Sequence, residues 1–167
     1  MILRPERPGD EAVIGAVTAA AFEGHPHSDG SEPRIIERLR AAGVLTLSLV
    51  AEEEGEVVGH VAFSPVTFSG GEQGWFGLGP ISVRPDRQGQ GIGSNLVREG
   101  LRRLQEDGAM GCVLVGEPAY YQRFGFSTEH DLTTPGVPRE YLLALPLNDP
   151  VPSGIVAFHP GFFGDAA

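Results

Sequence analysis

The stretch that decides the fold runs from residue 81 to residue 94 and reads Ile81-Ser82-Val83-Arg84-Pro85-Asp86-Arg87-Gln88-Gly89-Gln90-Gly91-Ile92-Gly93-Ser94. A strand ends at its start, a glycine-rich turn follows, and a helix begins at its end. The N-terminus of a helix leaves backbone N–H groups unpaired and carries partial positive charge, so it attracts phosphates. Glycines remove Cβ atoms and let a pyrophosphate approach the backbone. The stretch therefore predicts a phosphate-binding turn at a strand–helix junction.

Other interpretations of this turn can be weighed on its residues alone. A glycine-rich turn is often only a turn, without a ligand. The dinucleotide-binding fingerprint G-x-G-x-x-G fits poorly, because the glycines run G-x-G-x-G and residues 111–115 carry no acidic residue at their start. A P-loop requires a lysine on the nucleotide phosphates, and all twelve basic residues of this chain are arginines. The P-loop class is therefore excluded.

Hydrophobic periodicity on both sides of the turn predicts an α/β protein with a mixed, largely antiparallel sheet. We expect strands at residues 2–4, 45–53, 57–68, 75–83, 112–115, 141–145 and 155–158. We expect helices from a cap at Asp10 to residue 22, in a short segment ending at residue 41, and at residues 91–106 and 118–124. The length of 167 residues suits one domain, so a single domain is expected over residues 1–167.

Charge and composition limit the possible partners. The formal net charge of −10 argues against broad binding of nucleic acids and against adhesion to anionic membranes. With 41% hydrophobic residues, the chain can bury a substantial core. No signal peptide is expected at the N-terminus, and no apolar run approaches the roughly 20 residues of a membrane span. A cytoplasmic location is expected by default.

The single cysteine and the histidines offer little for catalysis or metal binding. Cys112 lies in the apolar run Cys112-Val113-Leu114-Val115, where core packing is expected rather than a nucleophilic role. With one cysteine, the chain cannot form an internal disulfide bond. His25 and His27 flank a proline without a known ligand spacing, so no metal site is expected.

Two segments carry a family resemblance. Gln88-Gly89-Gln90-Gly91-Ile92-Gly93 resembles the Q/R-x-x-G-x-G/A signature of the GNAT N-acetyltransferase superfamily. Ala119-Tyr120-Tyr121-Gln122-Arg123-Phe124-Gly125-Phe126 resembles the F-Y-x-K-x-G-F element of that superfamily, with Tyr120 in place of Phe and Arg123 in place of Lys. Together the two motifs are specific, although either alone is only moderately so.

A finer resemblance concerns a subgroup of the superfamily. Residues 116–121, Gly-Glu-Pro-Ala-Tyr-Tyr, and residues 158–162, Phe-His-Pro-Gly-Phe, are similar to the YhbS-like predicted acetyltransferases. The resemblance covers essentially the whole chain. It implies the GNAT fold, a central sheet of about seven strands flanked by helices, with a splayed cleft between strands four and five. A bulge at Pro80 inside the fourth strand would suit that splaying.

The resemblance also implies a function and a set of site residues. Acetyl-CoA is the implied cosubstrate, and a small-molecule or peptide amine is the implied acceptor. The backbone of Ile81 and Val83 would pair with the pantetheine arm, and a backbone N–H near Val83 would stabilise the oxyanion. Tyr121 would lie near the thioester sulfur and protonate the departing thiolate. The pyrophosphate would be held by the backbone amides of Gln88, Gly89, Gln90, Gly91, Gly93 and Ser94.

Several roles stay open at this stage. No dedicated base is evident; Glu117 and His60 are candidates, but each suits a structural role better, and water can carry the proton. Tyr120 is expected to be a packing residue. Residues 23–32 and the second helix are expected to meet the acceptor, and a homodimer is possible. A CoA-binding regulatory or interaction domain without turnover is the alternative function. One or more of five arginines near the turn are expected to reach the CoA phosphates: Arg84, Arg87, Arg98, Arg102 and Arg103.

Overall fold

The computed structural model describes residues 1–164 and shows an α/β fold. Its strands are β1 (Ile2–Pro5), β2 (Leu47–Glu53), β3 (Glu56–Pro65), β4 (Thr67–Phe68), β5 (Trp75–Val83), β6 (Gly111–Val115), β7 (Leu132–Thr133), β8 (Leu142–Pro146) and β9 (Gly154–Ala157). Its helices are α1 (Glu11–Phe22), α2 (Glu32–Ala41), α3 (Ile92–Glu106) and α4 (Pro118–Tyr121). Short 3-10 turns lie at Pro85–Arg87, Gln122–Phe124, Arg139–Tyr141 and Pro160–Phe162.

Two compact units divide the chain. Among the described residues, the first contains Met1–Ser64, Gly79–Gly100 and residues 160–164, and the second contains Pro65–Leu78 and Leu101–His159. Strand β5 and helix α3 each contribute residues to both units. The single domain expected from the sequence stays a prediction.

The larger sheet has six strands in the order β1-β2-β3-β5-β6-β8, and a smaller sheet has the order β4-β9-β7. Within residues 1–164, the expectation of about seven strands in the central sheet is therefore corrected to six. The reason is that the chain leaves β3 at Pro65, and Thr67 and Phe68 pair with Ala157 and Val156 of β9 instead. The C-terminal strand thus belongs to the smaller sheet, which a pattern of apolar residues alone does not show.

Strands β5 and β6 run parallel, whereas β1–β2, β2–β3 and β6–β8 are antiparallel pairs. The parallel register joins Trp75 to Gly111 and Gly77 to Val113, and both strands continue past the last joined pair. Pro80 lies inside β5, as expected, after a cis peptide bond, and Gly79 has a φ of 137°. Proline has no N–H to donate to a neighbouring strand, so it interrupts the ladder at this point.

In the first unit, the N-terminal part of α3 packs tightly on β3. A Cβ placed on Gly59 would lie 3.1 Å from side-chain atoms of both Ile92 and Leu96, and one on Gly100 would collide with the ring of Phe63. Glycines at these two positions therefore let the helix approach the strand closely. The apolar stripe predicted for α3 is confirmed, since Ile92, Leu96 and Gly100 are all buried.

The second unit has its own apolar core around Trp75, which is almost fully buried. Its ring packs edge-on against Phe68, with ring centroids 5.6 Å apart. Cys112 is fully buried on β6, as expected for a packing residue, and burial raises the pKa of its thiol well above the ordinary value. Val115, the last residue of the same strand, is 48% exposed.

Helix α1 begins where the sequence predicts, but its cap differs from the expected one. Asp10 occupies the N-cap position without a side-chain capping bond. Its carboxylate instead accepts hydrogen bonds from the Arg4 guanidinium at 2.8 Å and from the Arg7 backbone N–H at 2.7 Å. An ion pair to β1 therefore replaces the local cap. Within residues 1–164, no helix has the length and apolar character needed to cross a bilayer.

Candidate functional site

The glycine-rich turn adopts the conformation that a phosphate cradle requires. After β5 ends at Val83, a 3-10 turn at Pro85–Arg87 leads to Gly89 and Gly91, which have φ values of 78° and 80°. L-residues with side chains rarely adopt this left-handed conformation, so glycine is needed at both positions. The chain thereby turns sharply enough to begin α3 at the next residue.

The turn faces open space and presents unused donors. A Cβ placed on Gly89 or on Gly91 would meet no atom within 4 Å. Within the described chain, the backbone N–H groups of Gly89, Gln90 and Gly91 donate to no other backbone group. Unpaired donors beside the start of a fifteen-residue helix are an arrangement that commonly binds anions in proteins. The turn therefore has the local geometry expected of an anion-binding site, and the binding of a phosphate there stays a prediction.

The side chain of Gln88 closes this turn. Its Nε2 donates to the backbone carbonyl of Val83 at 3.0 Å, spanning the five-residue connection between the strand end and the glycines. The sequence indicated Gln88 only as a backbone donor. The backbone N–H of Gln88 makes only a long contact of 3.5 Å with the Pro85 carbonyl. Val83 and Gln88 are therefore held together as one structural piece.

The arginines beside the turn are already paired with carboxylates. The guanidinium of Arg84 contacts Asp86 at 2.6 Å and Glu56 at 3.1 Å, and Arg87 lies 3.3 Å from Glu53. The hydrogen bond from Arg84 holds the pKa of Asp86 below its usual range. These ion pairs connect the turn to the β2–β3 hairpin. Arg84 and Arg87 therefore have a structural role, in addition to the contact with CoA phosphates that the sequence predicts.

The other three arginines lie on helix α3. Arg102 forms an i,i+4 ion pair with Glu106 at 2.7 Å. Arg98 and Arg103 also interact with neighbouring groups. Exposed pairs of this kind are weak, typically worth about 0.3–0.5 kcal/mol, so they leave these side chains able to exchange partners. Whether any of the five arginines binds a phosphate stays a prediction.

In the second unit, Tyr121 lies at the end of α4 among other aromatic rings. Its ring centroid is 4.9 Å from that of Tyr120, 6.2 Å from that of Phe124 and 6.2 Å from that of Phe126. Burial raises the pKa of Tyr121 to about 12. Within residues 1–164, its hydroxyl makes no hydrogen bond. The phenol is therefore protonated at neutral pH and able to donate.

Tyr120 and Glu117 occupy the positions beside Tyr121. The guanidinium carbon of Arg123 lies 4.4 Å from the centre of the Tyr120 ring, which also packs edge-on against Phe124 at 5.5 Å. This surrounding fits the packing role expected for Tyr120. The side chain of Glu117 is exposed, and its backbone carbonyl accepts hydrogen bonds from the Tyr120 and Tyr121 N–H groups at 3.1 and 3.2 Å. Its backbone therefore starts the helix that carries Tyr121.

His60 is a buried member of a polar network in the first unit. Its Nε2 lies 2.7 Å from the Ser48 hydroxyl, which donates to the Glu6 carboxylate at 2.6 Å. Arg40 donates to the same carboxylate with Nε at 2.8 Å and a second nitrogen at 2.9 Å. Burial lowers the pKa of His60 to about 4. Because the ring is fully buried, a structural role for His60 is favoured over that of a base.

The segment expected to meet the acceptor is a polar loop between α1 and α2. Phe22, His25 and His27 form a chain of ring contacts with centroids 6.0 and 5.9 Å apart. At the end of the loop, the Ser28 hydroxyl donates to Glu32 at 2.6 Å. Among the described residues, no cluster of His, Cys, Asp or Glu is arranged to hold a metal ion. The loop thus presents imidazole rings and carboxylates on a largely exposed surface.

Comparison with known proteins identifies the family. The model of the acetyltransferase (GNAT) family matches residues 11–126, which include the glycine-rich turn and Tyr121. The chain belongs to the GNAT acetyltransferase family. Its sequence is 39% identical to the N-acetyltransferase YhbS of Escherichia coli strain K12 over 97% of this chain and 98% of that protein. The resemblance inferred from the two motifs is therefore confirmed, including the YhbS-like subgroup.

Solved structures of GNAT proteins agree with this assignment. A GNAT family acetyltransferase from Brucella melitensis, in complex with acetyl-CoA, is 50% identical with a TM-score of 0.87, covering 96% of this chain and 97% of that chain. YhbS from Escherichia coli, in complex with CoA, is 36% identical with a TM-score of 0.87, covering 99% of this chain and 93% of that chain. The GNAT fold expected from the sequence is confirmed.

Proposed function

We propose that this protein transfers the acetyl group of acetyl-CoA to the amine of a small molecule or peptide. The observation that carries the proposal is the turn with Gly89 and Gly91 at positive φ, open space at both Cβ positions and unused N–H donors. Solved relatives at 50% and 36% identity were crystallised with acetyl-CoA and with CoA. The residues present in this chain fit such a ligand, because a pyrophosphate needs converging donors and no side chain in its path.

The proposed binding residues are those that the family motif predicts. The backbone of Ile81 and Val83 would pair with the pantetheine arm, as one more strand would. The pyrophosphate would accept hydrogen bonds from the backbone amides of Gln88, Gly89, Gln90, Gly91, Gly93 and Ser94. The ion pairs of Arg84 and the side-chain bond of Gln88 would keep these donors in place before the ligand arrives. Preorganisation of this kind reduces the entropy lost on binding.

The chemistry is a direct transfer in a ternary complex. The amine nitrogen attacks the thioester carbon, the carbonyl oxygen becomes negatively charged, and a backbone N–H near Val83 would stabilise it. The carbon–sulfur bond then breaks, the amide forms, and CoA leaves as its thiolate while the nitrogen loses a proton to water. Binding both reactants supplies proximity. His60 is buried, so water, rather than this ring, is proposed to take the proton of the nitrogen.

Tyr121 is proposed to act as a hydrogen-bond donor to the departing sulfur. A phenol with a pKa of about 12 is a weaker acid than an ordinary thiol, whose pKa is about 8.5. Complete proton transfer from Tyr121 before the bond breaks is therefore uphill, and most of its effect comes from stabilising negative charge as it develops. This refines the simple proton-donor role expected from the sequence.

The acceptor is proposed to bind at the loop between α1 and α2 and at α2 itself. Carboxylates at Glu23, Asp29 and Glu32 would favour a cationic amine, and exposed loops commonly carry specificity. A homodimer and a cytoplasmic location are also proposed, and both rest on the expectations drawn from the sequence. None of these assignments affects the chemistry at the thioester.

Ligand-induced stabilisation tests the cosubstrate. Acetyl-CoA at a hundredfold excess over its dissociation constant should raise the free energy of unfolding by about 2.7 kcal/mol, because it binds only the folded state. Thermal unfolding measured with acetyl-CoA, CoA and NAD at equal concentrations would show this. Stabilisation by NAD without stabilisation by CoA would overturn the assignment.

A CoA-release assay over a panel of amines separates the enzyme from its alternative. Turnover on at least one amine supports the transferase. Stabilisation by acetyl-CoA without CoA release on any amine would favour a binding or regulatory domain of the same fold.

A matched pair of glycine substitutions tests the cradle. Gly91→Ala and Gly108→Ala both place a side chain at positive φ, with φ of 80° and 87°, and both meet open space in the protein. Each should cost about 1–2 kcal/mol of stability because of this shared backbone strain. Only Gly91→Ala should also raise the dissociation constant of CoA, by tenfold or more, measured by calorimetry. Equal CoA affinity in the two folded variants would place the pyrophosphate elsewhere.

A further inference from the structure

Gly116 lies directly after β6, two residues before α4 begins. Its backbone N–H donates to the Tyr141 carbonyl at 2.9 Å, which anchors it beside β8. It is not among the glycines at positive φ, so its φ does not require a glycine. The turn itself therefore does not explain why a glycine stands at this position.

The space around Gly116 does explain it. A Cβ at this position would lie 2.6 Å from Cε2 and 3.1 Å from Cδ2 of the Tyr121 ring, and 3.2 Å from Cδ1 of Leu114. Carbon atoms at contact are normally about 3.5–4.0 Å apart, so an added methyl group would have to displace the ring. The edge of the Tyr121 ring thus rests on the bare backbone of Gly116.

Two more aromatic rings contact the ring of Tyr121. The buried ring of Phe126 packs edge-on to it, with centroids 6.2 Å apart, and Tyr120 packs edge-on to it at 4.9 Å. The backbone of Tyr121 is fixed as well, because its N–H donates to the Glu117 carbonyl at 3.2 Å. A ring pushed away from residue 116 would tilt about this anchored backbone, and the displacement would be largest at the hydroxyl, at the far end of the side chain.

We propose that Gly116 is a positioning residue for the acetyl transfer, because the absence of a side chain at this position sets where the Tyr121 hydroxyl lies. The inference rests on the proposed function, in which that hydroxyl donates to the departing sulfur. Displacement of a reacting group by about 1 Å can cost about 10²-fold in rate. Gly116 touches neither reactant in this account and acts only through Tyr121.

The test is a set of variants measured for kcat and for the KM of acetyl-CoA. Gly116→Ala should lower kcat by 10- to 100-fold and leave the KM of acetyl-CoA within twofold. In a Tyr121→Phe background, the same substitution should cause no further loss of kcat, because the ring is still displaced but carries no hydroxyl. Gly15→Ala, which meets no atom within 4 Å, is the control for a glycine replaced at an ordinary φ and should keep the parent kcat.

The possible failures are distinguishable. If Tyr121→Phe keeps the parent kcat, the role proposed for Tyr121 fails. If Tyr121→Phe is impaired while Gly116→Ala is not, or if Gly116→Ala lowers kcat equally in both backgrounds, the inference about Gly116 is overturned. Should Gly116→Ala not fold, Gly116→Ala combined with Tyr121→Ala should recover the fold, because the small side chain removes the collision. A double variant that also fails to fold would contradict the inference.

Discussion

Replacing Tyr121 with phenylalanine should lower the rate of CoA release by about 10²- to 10⁴-fold, the usual range for a positioned proton donor. The loss should lie toward the lower end, since a phenol with a pKa of about 12 acts more by hydrogen bonding than by full proton transfer. The affinity for acetyl-CoA should stay unchanged, because the ring and its contacts with Phe124 and Phe126 remain. Single-turnover CoA release and calorimetric binding measure the two quantities separately.

Tyr120→Phe is the matched control for this experiment. It removes the same atom from a neighbouring ring that packs under Arg123 and against Phe124. Circular dichroism and thermal unfolding should show that both variants fold. If Tyr120→Phe is inactive while Tyr121→Phe turns over normally, the assignment of the two tyrosines is reversed. If neither variant loses activity, solvent protonates the thiolate, and proximity with oxyanion stabilisation is sufficient.

The glycine-rich turn could be predicted from the sequence because its determinants are local. Glycines at 89 and 91 signal positive φ, a strand end and a helix start flank them, and the structure has both features within a residue of the predicted bounds. Strand β5 and the Pro118–Phe124 segment also match their predicted bounds, since apolar runs and proline positions decide them. The hydrogen bond from the Gln88 side chain to Val83 could not be predicted in this way, because it depends on the shape of the folded turn.

The features that could not be predicted depend on residues far apart in the chain. Arg84 forms an ion pair with Glu56, 28 positions away in the chain, and the spacing of charges in the sequence does not show which carboxylate an arginine will contact. Strand β9 joins β4 and β7 rather than the central sheet, and the two-residue strands β4 and β7 are too short for a periodic pattern. The contact between Gly116 and Tyr121 likewise becomes visible only once the two residues are placed in space.

Lowering the pH from 7.5 to 5 should cost the protein about 2 kcal/mol of unfolding free energy through His60 alone. The pKa of His60 is about 4 in the folded protein and about 6.5 in an unfolded chain, because burial disfavours the charged ring. Between these values the unfolded state binds more protons than the folded state. The stabilising contribution is therefore complete above pH 6.5 and is lost as the pH falls toward 4, by about 3 kcal/mol in all. Urea unfolding across this pH range measures the slope.

The network around His60 determines which nitrogen would take up the proton. Ser48 donates its hydroxyl hydrogen to Glu6, so it accepts from Nε2–H of His60, and Nδ1 is left as a buried acceptor without a hydrogen-bond partner among the described residues. Although burial alone would raise the pKa of Glu6, hydrogen bonds from Arg40 and Ser48 hold it below its ordinary value, so the carboxylate stays charged. Its own contribution to stability begins to fall only near its unfolded pKa of about 4.3, at the acid end of the window assigned to His60.

His60→Gln isolates the contribution of the imidazole. The glutamine amide can still donate to Ser48 but cannot take up a proton. Between pH 7.5 and 5, the variant should therefore lack the loss of unfolding free energy that His60 causes in the parent. The paired carboxylates of Glu6 and Asp10, whose pKa values are also lowered, should produce the same decline in both proteins below about pH 4.5. Parallel curves for parent and variant over the whole range would mean that His60 is reached by water or by an unassigned partner at Nδ1, and that burial does not determine its charge.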